Sequence, residues 1–111
     1  MDIAFSSKKL EDTCNSEDAR RKAYGKQEGA ILGQRLDDMR AAKSLEDMRH
    51  LPGRCHELKL NRKGQLGLDL VHPHRLIIEP ANDPVPRKED DGLDWAKVTA
   101  IRVTEIAKDY H

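Results

Sequence analysis

The sequence predicts an α+β domain, with helices packed on one face of a mostly antiparallel, twisted sheet. In the N-terminal half, apolar residues recur at helical spacing, whereas beyond residue 53 they alternate with polar residues at a period of two. The links between the first C-terminal segments are short, which requires antiparallel hairpins. At 111 residues we expect one domain, spanning residues 1–111, with a single modest core.

The N-terminal half begins with a short strand and continues into two helices. We expect the strand over Asp2 to Phe5, and a first helix that is capped by Ser6-Ser7 and reaches Cys14. A second helix starts at Asn15-Ser16-Glu17-Asp18, where acidic residues suit the positive end of the helix dipole, and runs to about Lys43. This half therefore supplies the strand and the two helices of the domain.

Three glycines are spaced four residues apart in the second helix, at Gly25, Gly29 and Gly33. That spacing would place all three on one helix face. They would permit close approach of another backbone, including one from a partner protein. We favour packing against the preceding short helix, or a helix that is weakly stable there, since each glycine costs a helix roughly 1 kcal/mol relative to alanine.

Four strands are predicted in the C-terminal half, over residues 54–60, 65–71, 74–80 and Val98 to Ala107. Tight turns at Asn61 to Gly64 and at His72-Pro73 join the first three strands. A long polar loop over 81–96 precedes the last strand. We expect its Trp95, the only tryptophan, to pack the loop against the sheet.

The net charge is zero, yet the charge is unevenly distributed along the chain. Residues 1–64 carry 14 Lys and Arg against 11 Asp and Glu, whereas residues 65–111 carry 6 against 9. Proteins that bind nucleic acid on their own usually have a clear basic surplus, because neutralised phosphates supply much of the affinity. The small surplus argues against strong autonomous RNA binding. It leaves room for one local basic patch, made of Arg54, Lys59, Arg62 and Lys63.

Two features of the sequence indicate the cellular compartment, namely the lack of targeting segments and the small number of cysteines. No apolar stretch approaches the length of a membrane span, and the N-terminus lacks the charged-then-apolar pattern of a signal peptide. Cys14 and Cys55 are too few for a disulfide framework, which fits a reducing compartment. We therefore expect a cytoplasmic protein with no membrane partner. No helix-turn-helix pattern is visible, so direct DNA binding is not expected.

Acid–base and cationic groups occur in three pieces that lie far apart in the sequence. His56-Glu57-Leu58-Lys59 leads into Asn61-Arg62-Lys63-Gly64, Arg75 stands inside an apolar run, and Asp109-Tyr110-His111 ends the sequence. Cleavage of a phosphodiester without a metal needs a proton acceptor, a proton donor and positive charge on the phosphate. These residue types suit that reaction.

A zinc site is the alternative use of the histidines. His72-Pro73-His74 would be joined by Cys55, His56 or His111 as further ligands. However, Pro73 marks a turn, and no paired-cysteine spacing supports a structural metal site. Nothing in the sequence identifies a base that would activate Cys55 as a nucleophile. We therefore expect neither a metal nor covalent catalysis by cysteine.

Taken in order, the stretch from Leu51 to Lys59, the Arg62-Lys63-Gly64 turn, Arg75 and the terminal Asp109-Tyr110-His111 resemble one family. They are similar to the HigB-type toxins of bacterial toxin–antitoxin modules, in the RelE superfamily of small ribosome-dependent mRNA interferases. The resemblance implies a RelE/microbial-RNase-like fold for the whole chain. The positions that match catalytic residues of the family are His56, Lys59, Arg75, Asp109, Tyr110 and His111.

The resemblance implies a toxin that enters the ribosomal A site and cuts mRNA without a cofactor. A ribose 2′-hydroxyl would attack the adjacent phosphate. Proton transfer would fall to His56, Asp109 and His111, with base and acid left undecided. Arg75 would hold the phosphate, since its fork can contact two oxygens at once.

Further roles and partners follow from the same resemblance. Lys59 would add a point charge, and Tyr110 would stack on or bond to a base. A cognate helix-turn-helix antitoxin of the HigA type, the ribosome and mRNA are the implied partners, with DNA contacted only through the antitoxin complex. The alternative function is that of a catalytically weak or inactive member that acts as a protein-binding module. The residues implied in RNA or ribosome binding are Arg54, Arg62 and Lys63.

Overall fold

The computed structural model describes residues 1–108, so that Asp109, Tyr110 and His111 lie outside the described residues. Short 3₁₀ helices occur at Leu45–His50, Leu60–Arg62 and Trp95–Lys97. Within the described residues the α-helices and strands are β1 (Asp2–Phe5), α1 (Lys8–Cys14), α2 (Glu17–Ala41), β2 (His56–Glu57), β3 (Leu66–Asp69), β4 (Arg75–Pro80) and β5 (Ala100–Ala107).

The strands form one sheet in the order β1-β5-β4-β3-β2. β1 pairs with β5 in parallel, and the other three pairings are antiparallel. The predicted α+β class with a mostly antiparallel sheet is confirmed. β2 is an edge strand of this sheet, which leaves the turn between β2 and β3 at the border of the molecule.

The helices begin where the sequence predicts. The hydroxyl of Ser7 accepts the backbone N–H of Leu10 at 3.1 Å, and that of Ser16 accepts the N–H of Ala19 at 3.2 Å. These bonds satisfy N–H groups that have no partner within the helix itself. The second helix ends at Ala41, two residues before the predicted end.

The three spaced glycines do not share one helix face, so that prediction is wrong. At Gly25 the backbone leaves the helical region, with φ 87° and ψ 170°, and divides α2 into segments 17–24 and 26–41. A Cβ built on Gly29 would lie only 3.0 Å from the main-chain carbonyl carbon of Arg20. The close packing that we expected therefore occurs at Gly29, but against the first segment of α2 instead of against α1.

The two faces of the sheet differ in composition, because opposed residues of neighbouring strands project to the same side. One side, the helix face, packs against Leu32, Leu36 and Met39 of α2 in a single apolar core. The helix face comprises Leu66, Leu68, Leu76, Ile78, Ile101, Val103 and Ile106. The other side, which we call the polar face, comprises His56, Gly67, Asp69, Arg75, Ile77, Glu79, Arg102, Glu105 and Ala107.

A β-bulge in β5 decides which residues reach the polar face. Ile77 pairs with Glu105 whereas the next residue, Ile78, pairs with Val103, so that Thr104 is the extra residue. Its hydroxyl donates to the main-chain oxygen of Ile77 at 3.2 Å. The extra residue reverses the alternation, and Glu105 therefore lies on the polar face although Val103 lies on the helix face.

The first C-terminal strand is much shorter than the predicted range 54–60. Only His56–Glu57 pair with the sheet. Arg54 and Leu60 have positive φ values of 51° and 57°, which lie outside the extended region and end the strand on both sides. Neither residue type signals such a conformation in a sequence.

Trp95 packs the long loop against the sheet, as predicted. Its side chain belongs to the core and is 4% exposed. The indole Nε1–H donates to Oε2 of Glu57 at 3.0 Å, and the guanidinium of Arg49 lies 3.8 Å from the ring centroid. Within residues 1–108, none of the helices combines the length and apolar character that crossing a bilayer requires.

Candidate active site

The polar face brings together the predicted site residues that lie on strands. His56 on β2 stands opposite Gly67 on β3, whereas Asp69 stands opposite Arg75 on β4, and Arg75 also pairs with Ala107 on β5. Arg75 is thus two strands across and two residues along from His56. Strand spacing and rise place their Cα atoms about 12 Å apart. His56 and Arg75 therefore project to the same face of the sheet, two strands apart.

His56 is oriented by its own backbone. Its Nδ1 lies 2.7 Å from the main-chain oxygen of Arg54. Since a carbonyl oxygen only accepts hydrogen bonds, Nδ1 carries a proton and donates it, which leaves Nε2 as the basic nitrogen of the neutral ring. The half-buried imidazole can therefore accept a proton at Nε2, or donate one from Nε2 when it is charged.

Arg75 is 4% exposed, an unusual degree of burial for a charged side chain. A Cβ on Gly67 would lie 3.6 Å from Cδ of Arg75 and 3.3 Å from Cδ2 of Leu58. The missing side chain at Gly67 thus makes room for Leu58 and for the stem of the arginine. A guanidinium held in such surroundings acts through a lower effective dielectric than one in water, which strengthens its attraction for a phosphate.

Arg54, implied in RNA binding, forms an ion pair on the polar face. Its Nε donates to Oδ2 of Asp69 at 2.9 Å, and its Nη2 donates to Oδ1 at 3.4 Å. Arg35 fixes the same strand end, because its Nε donates to the main-chain oxygen of Asp69 at 3.0 Å. The Arg54 and Asp69 side chains are 61% and 36% exposed, so that solvent weakens the pair and a phosphate can compete for Arg54.

The turn between β2 and β3 carries the other predicted cations. Nη1 of Arg62 donates to Oε1 of Glu105 at 2.7 Å and to Oε1 of Gln65 at 3.3 Å. Lys59 and Lys63 are exposed, and neither side chain makes a hydrogen bond or ion pair within residues 1–108. Of the three residues implied in RNA binding, two are thus paired with carboxylates and Lys63 is available.

Asp109, Tyr110 and His111 lie outside the described residues. β5 ends at Ala107, which is the register partner of Arg75. The predicted catalytic roles of these three residues therefore stay predictions.

The structure argues against Cys55 as a nucleophile. Burial raises the pKa of the Cys55 thiol to about 12, although the charge of Arg49 acts in the opposite direction. The thiol is therefore neutral at physiological pH, where a nucleophile would have to be a thiolate. Across the described residues 1–108, no three His, Cys, Asp or Glu side chains gather as a metal site would need.

A pair next to the site was missed by sequence reasoning. Nδ1 of His74 lies 2.5 and 2.8 Å from the two carboxylate oxygens of Glu28, which is 7% exposed. The contact ties α2 to the residue that precedes Arg75. One signal was present in the sequence, because Glu28 continues the apolar stripe of Leu32 and Leu36 at a spacing of four. A charged residue in such a stripe needs a buried partner.

Comparison with solved structures finds similarity to YoeB toxins. The YoeB-YefM complex from Staphylococcus aureus gives a TM-score of 0.56 at 17% identity, over 100% of this chain and 97% of that chain. The YoeB dimer from the same organism gives 0.53 at 19% identity, with the same coverage. A heterotetrameric YoeB-YefM toxin-antitoxin complex gives 0.54 at 18%, again with that coverage. No protein-family model and no curated protein matches the sequence.

The chain has the RelE-like fold of these toxins. The fold implied by the resemblance is thereby confirmed over the whole of this chain and 97% of each neighbour. At 17–19% identity the likeness concerns the fold. The three structures are YoeB toxins, and the HigB-type assignment stays a prediction.

Proposed function

We propose that the chain is the toxin of a type II toxin–antitoxin module, of the HigB type. It acts in the cytoplasm as an endoribonuclease that cleaves mRNA in the ribosomal A site. The observation that carries the proposal is the presence of two complementary groups on the polar face of a RelE-like sheet. His56 is an oriented imidazole, and Arg75 is a buried guanidinium.

The reaction is a transfer within the RNA itself. A ribose 2′-oxygen loses its proton and bonds to the adjacent phosphorus, while the bond from phosphorus to the 5′-oxygen breaks and that oxygen gains a proton. The products are a 2′,3′-cyclic phosphate and a 5′-hydroxyl. Nε2 of His56 performs one of the two proton transfers, and Arg75 stabilises the charge that develops on the phosphoryl oxygens.

The terminal residues complete this scheme. Asp109 or His111 performs the second proton transfer, and Tyr110 stacks on or bonds to a base. Lys59 adds positive charge from the exposed turn. None of these steps uses a metal ion.

Charge on the polar face favours a second candidate function, that of a protein-binding module with weak or no cleavage. Asp69 and Glu105 occupy two of the basic side chains that would otherwise contact RNA. This arrangement lowers the local positive potential, on which RNA affinity depends. The two functions predict different results for the same variants.

The proposal is tested in a reconstituted translation reaction with one defined mRNA. Cleavage by the full chain is compared with that of His56→Ala and Arg75→Ala, with and without ribosomes. We expect ribosome-dependent cuts by the full chain, and rates at least about a hundredfold lower for both variants, because each loses a proton-transfer or charge-stabilising group. Arg21→Ala on an exposed part of α2 is the matched control and should cleave like the full chain.

Arg75→Ala leaves a space in a buried position, so that thermal unfolding of each variant is measured alongside. Arg75→Lys keeps the charge without the fork, and His56→Ala changes a half-buried side chain. Loss of cleavage in folded variants supports the nuclease. An intact chain that leaves the mRNA whole on ribosomes, and does not arrest growth when induced, would overturn the nuclease proposal and favour the binding module.

A cognate helix-turn-helix antitoxin is the partner that we propose. A small gene for such a protein next to this one is expected, and its product should relieve growth arrest and co-purify with the chain. Growth arrest that the neighbouring product fails to relieve would contradict the partner and leave the nuclease intact.

A further inference from the structure

The long loop forms a cleft with the turn between β2 and β3. The cleft has a volume of about 320 Å³. Its inner surface is apolar, with Leu66, Pro80, Val85 and Leu93. Leu66 and Leu93 are buried residues of the core, so the bottom of the cleft is well packed.

The charged side chains that line the cleft differ in whether they have partners within the chain. Both carboxylates are engaged within the chain, because Glu57 accepts the indole N–H of Trp95 and Glu79 accepts from Arg102 at 3.3 Å. Lys63 and Arg87 are exposed, and within residues 1–108 neither side chain has a hydrogen bond or ion pair. The indole is neutral, so Glu57 keeps its charge, whereas Arg102 offsets the charge of Glu79; the two available cations therefore outnumber one uncompensated carboxylate.

The cleft is placed at the edge of the sheet, beside the candidate active site. Glu57 lines it, whereas the preceding residue His56 projects to the polar face on the other side of β2. β2 is an edge strand, so that no further strand of the sheet blocks a path around it. An RNA strand whose phosphate lies by His56 can continue over this edge to the cleft.

We propose that the cleft binds one nucleotide of single-stranded RNA. Lys63 and Arg87 contact its phosphate, and the apolar surface receives the base, whose polar edge can bond to Gln65 and Glu57. A concave apolar surface with a few polar groups at its rim is typical of small-ligand sites. Proteins that bind single-stranded nucleic acid place cations on the backbone and stack the bases on aromatic rings or guanidinium planes. In this cleft the cations are present, and the base packs on aliphatic side chains and beside Arg87. The inference deepens the proposed function and rests on it, since it adds a nucleotide contact to the cleavage site.

Nucleotide binding in the cleft can be followed by the fluorescence of Trp95. It is the only tryptophan, and its indole bonds to Glu57, a carboxylate that lines the cleft. The full chain is titrated with AMP, GMP, CMP and UMP, and with inorganic phosphate, while Trp95 fluorescence is followed. Saturation-transfer NMR on each nucleotide detects binding that leaves the fluorescence unchanged. We expect saturable binding of at least one nucleotide, tighter than that of inorganic phosphate.

The double variant Lys63→Ala/Arg87→Ala should weaken nucleotide binding by about tenfold or more, since both phosphate contacts are lost. Lys88→Ala is the matched control, because Lys88 neighbours Arg87 in sequence but lies 3.9 Å from Asp90 in an ion pair of its own. This control should bind nucleotides like the unmodified chain. Both variants change exposed side chains, and their unfolding temperatures verify that they fold.

Four results would overturn the inference. They are the absence of saturable binding by both methods, equal binding by the double variant, phosphate binding as tight as nucleotide binding, and capture of an acidic peptide in place of any nucleotide. Mononucleotide binding does not require cleavage. Cleavage of mRNA without nucleotide binding would therefore sink this inference alone, whereas nucleotide binding without cleavage would sink the nuclease proposal.

Discussion

The helix face and the polar face of the sheet share their strands but differ in what their residues contact. On the helix face, Leu66, Leu68 and Ile78 are fully buried against α2. On the polar face, Asp69 and Glu105 are held by ion pairs that solvent reaches. Burial of apolar area is the main source of stability, whereas partly exposed ion pairs contribute little. The helix face therefore holds the fold together, and the polar face can be altered at a lower cost in stability.

The largest effect is expected from a cavity on the helix face. Ile78→Ala should lower the free energy of unfolding by about 2–5 kcal/mol, because the lost contacts are only partly restored by relaxation. Leu60→Ala is the control, since Leu60 is 91% exposed and its truncation should change stability by at most about 0.5 kcal/mol. Urea unfolding of the two variants measures the difference. Equal losses at both positions would contradict the assignment of the core to the helix face.

The next effect tests the packed part of the polar face. A side chain on Gly67 would press on Leu58, 3.3 Å from the new Cβ, and on the stem of Arg75. Gly67→Val should cost about 1–3 kcal/mol of stability and reduce mRNA cleavage, because the guanidinium has to move. Gly67→Ala adds less volume and should cost less in the same urea and cleavage assays. A Val variant as stable and active as the unmodified chain would show that this space is not needed.

Alkaline pH should weaken the fold through the buried thiol of Cys14 and the half-buried thiol of Cys55. Burial raises the pKa of Cys14 to about 11 and that of Cys55 to about 12. An unfolded thiol ionises near pH 8.5, so that stability is fully present below that pH and falls as pH rises toward the folded values. We expect a loss on the order of 1 kcal/mol per thiol at pH 10.

The matched control is Cys14→Ala/Cys55→Ala. Urea unfolding at pH 7.5 and pH 10 should give a smaller decrease in stability for this double variant than for the unmodified chain. Parallel decreases in the two proteins would assign the alkaline sensitivity to other groups.

The smallest effect concerns the pair of Arg62 and Glu105 on the polar face. A double-mutant cycle with Arg62→Ala and Glu105→Ala should give a coupling energy of about 0.2–1 kcal/mol, because both side chains are partly exposed. The coupling should shrink in high salt, which screens exposed charges. A coupling above about 2 kcal/mol that salt does not reduce would mean that the polar face contributes to stability as a buried network does.

Much of the fold was predictable because it depends on local signals. Ser7 and Ser16 cap the helices as expected, and the turn at His72-Pro73 separates β3 from β4. The interruption at Gly25 was missed, since a glycine at helical spacing gives no sign of its φ angle. The period-two pattern predicts a strand through Leu60, whereas the surrounding structure imposes a positive φ that leucine rarely adopts.

The candidate site was predictable in part. The period-two pattern placed His56 and Arg75 on strands, and their common face follows from the register. Residues separated by tens of positions cannot be paired from one sequence, so that the contact of Arg62 with Glu105 was not foreseen. For the same reason the sequence did not predict the bond from Trp95 to Glu57, a residue that lines the cleft.

Thr104, the extra residue of the bulge, exchanges the faces to which odd-numbered and even-numbered residues of β5 project. Upstream of it, odd-numbered positions supply the core, and downstream of it they supply the opposite surface. Removal of this single residue would make Glu105 follow Val103 directly in a regular ladder, with the two side chains still on opposite sides of the sheet. Related chains that lack it can therefore keep the same order of apolar and charged residues in the last strand, with one position fewer. A sequence alignment that places no gap at Thr104 would match positions whose side chains lie on opposite faces of the sheet.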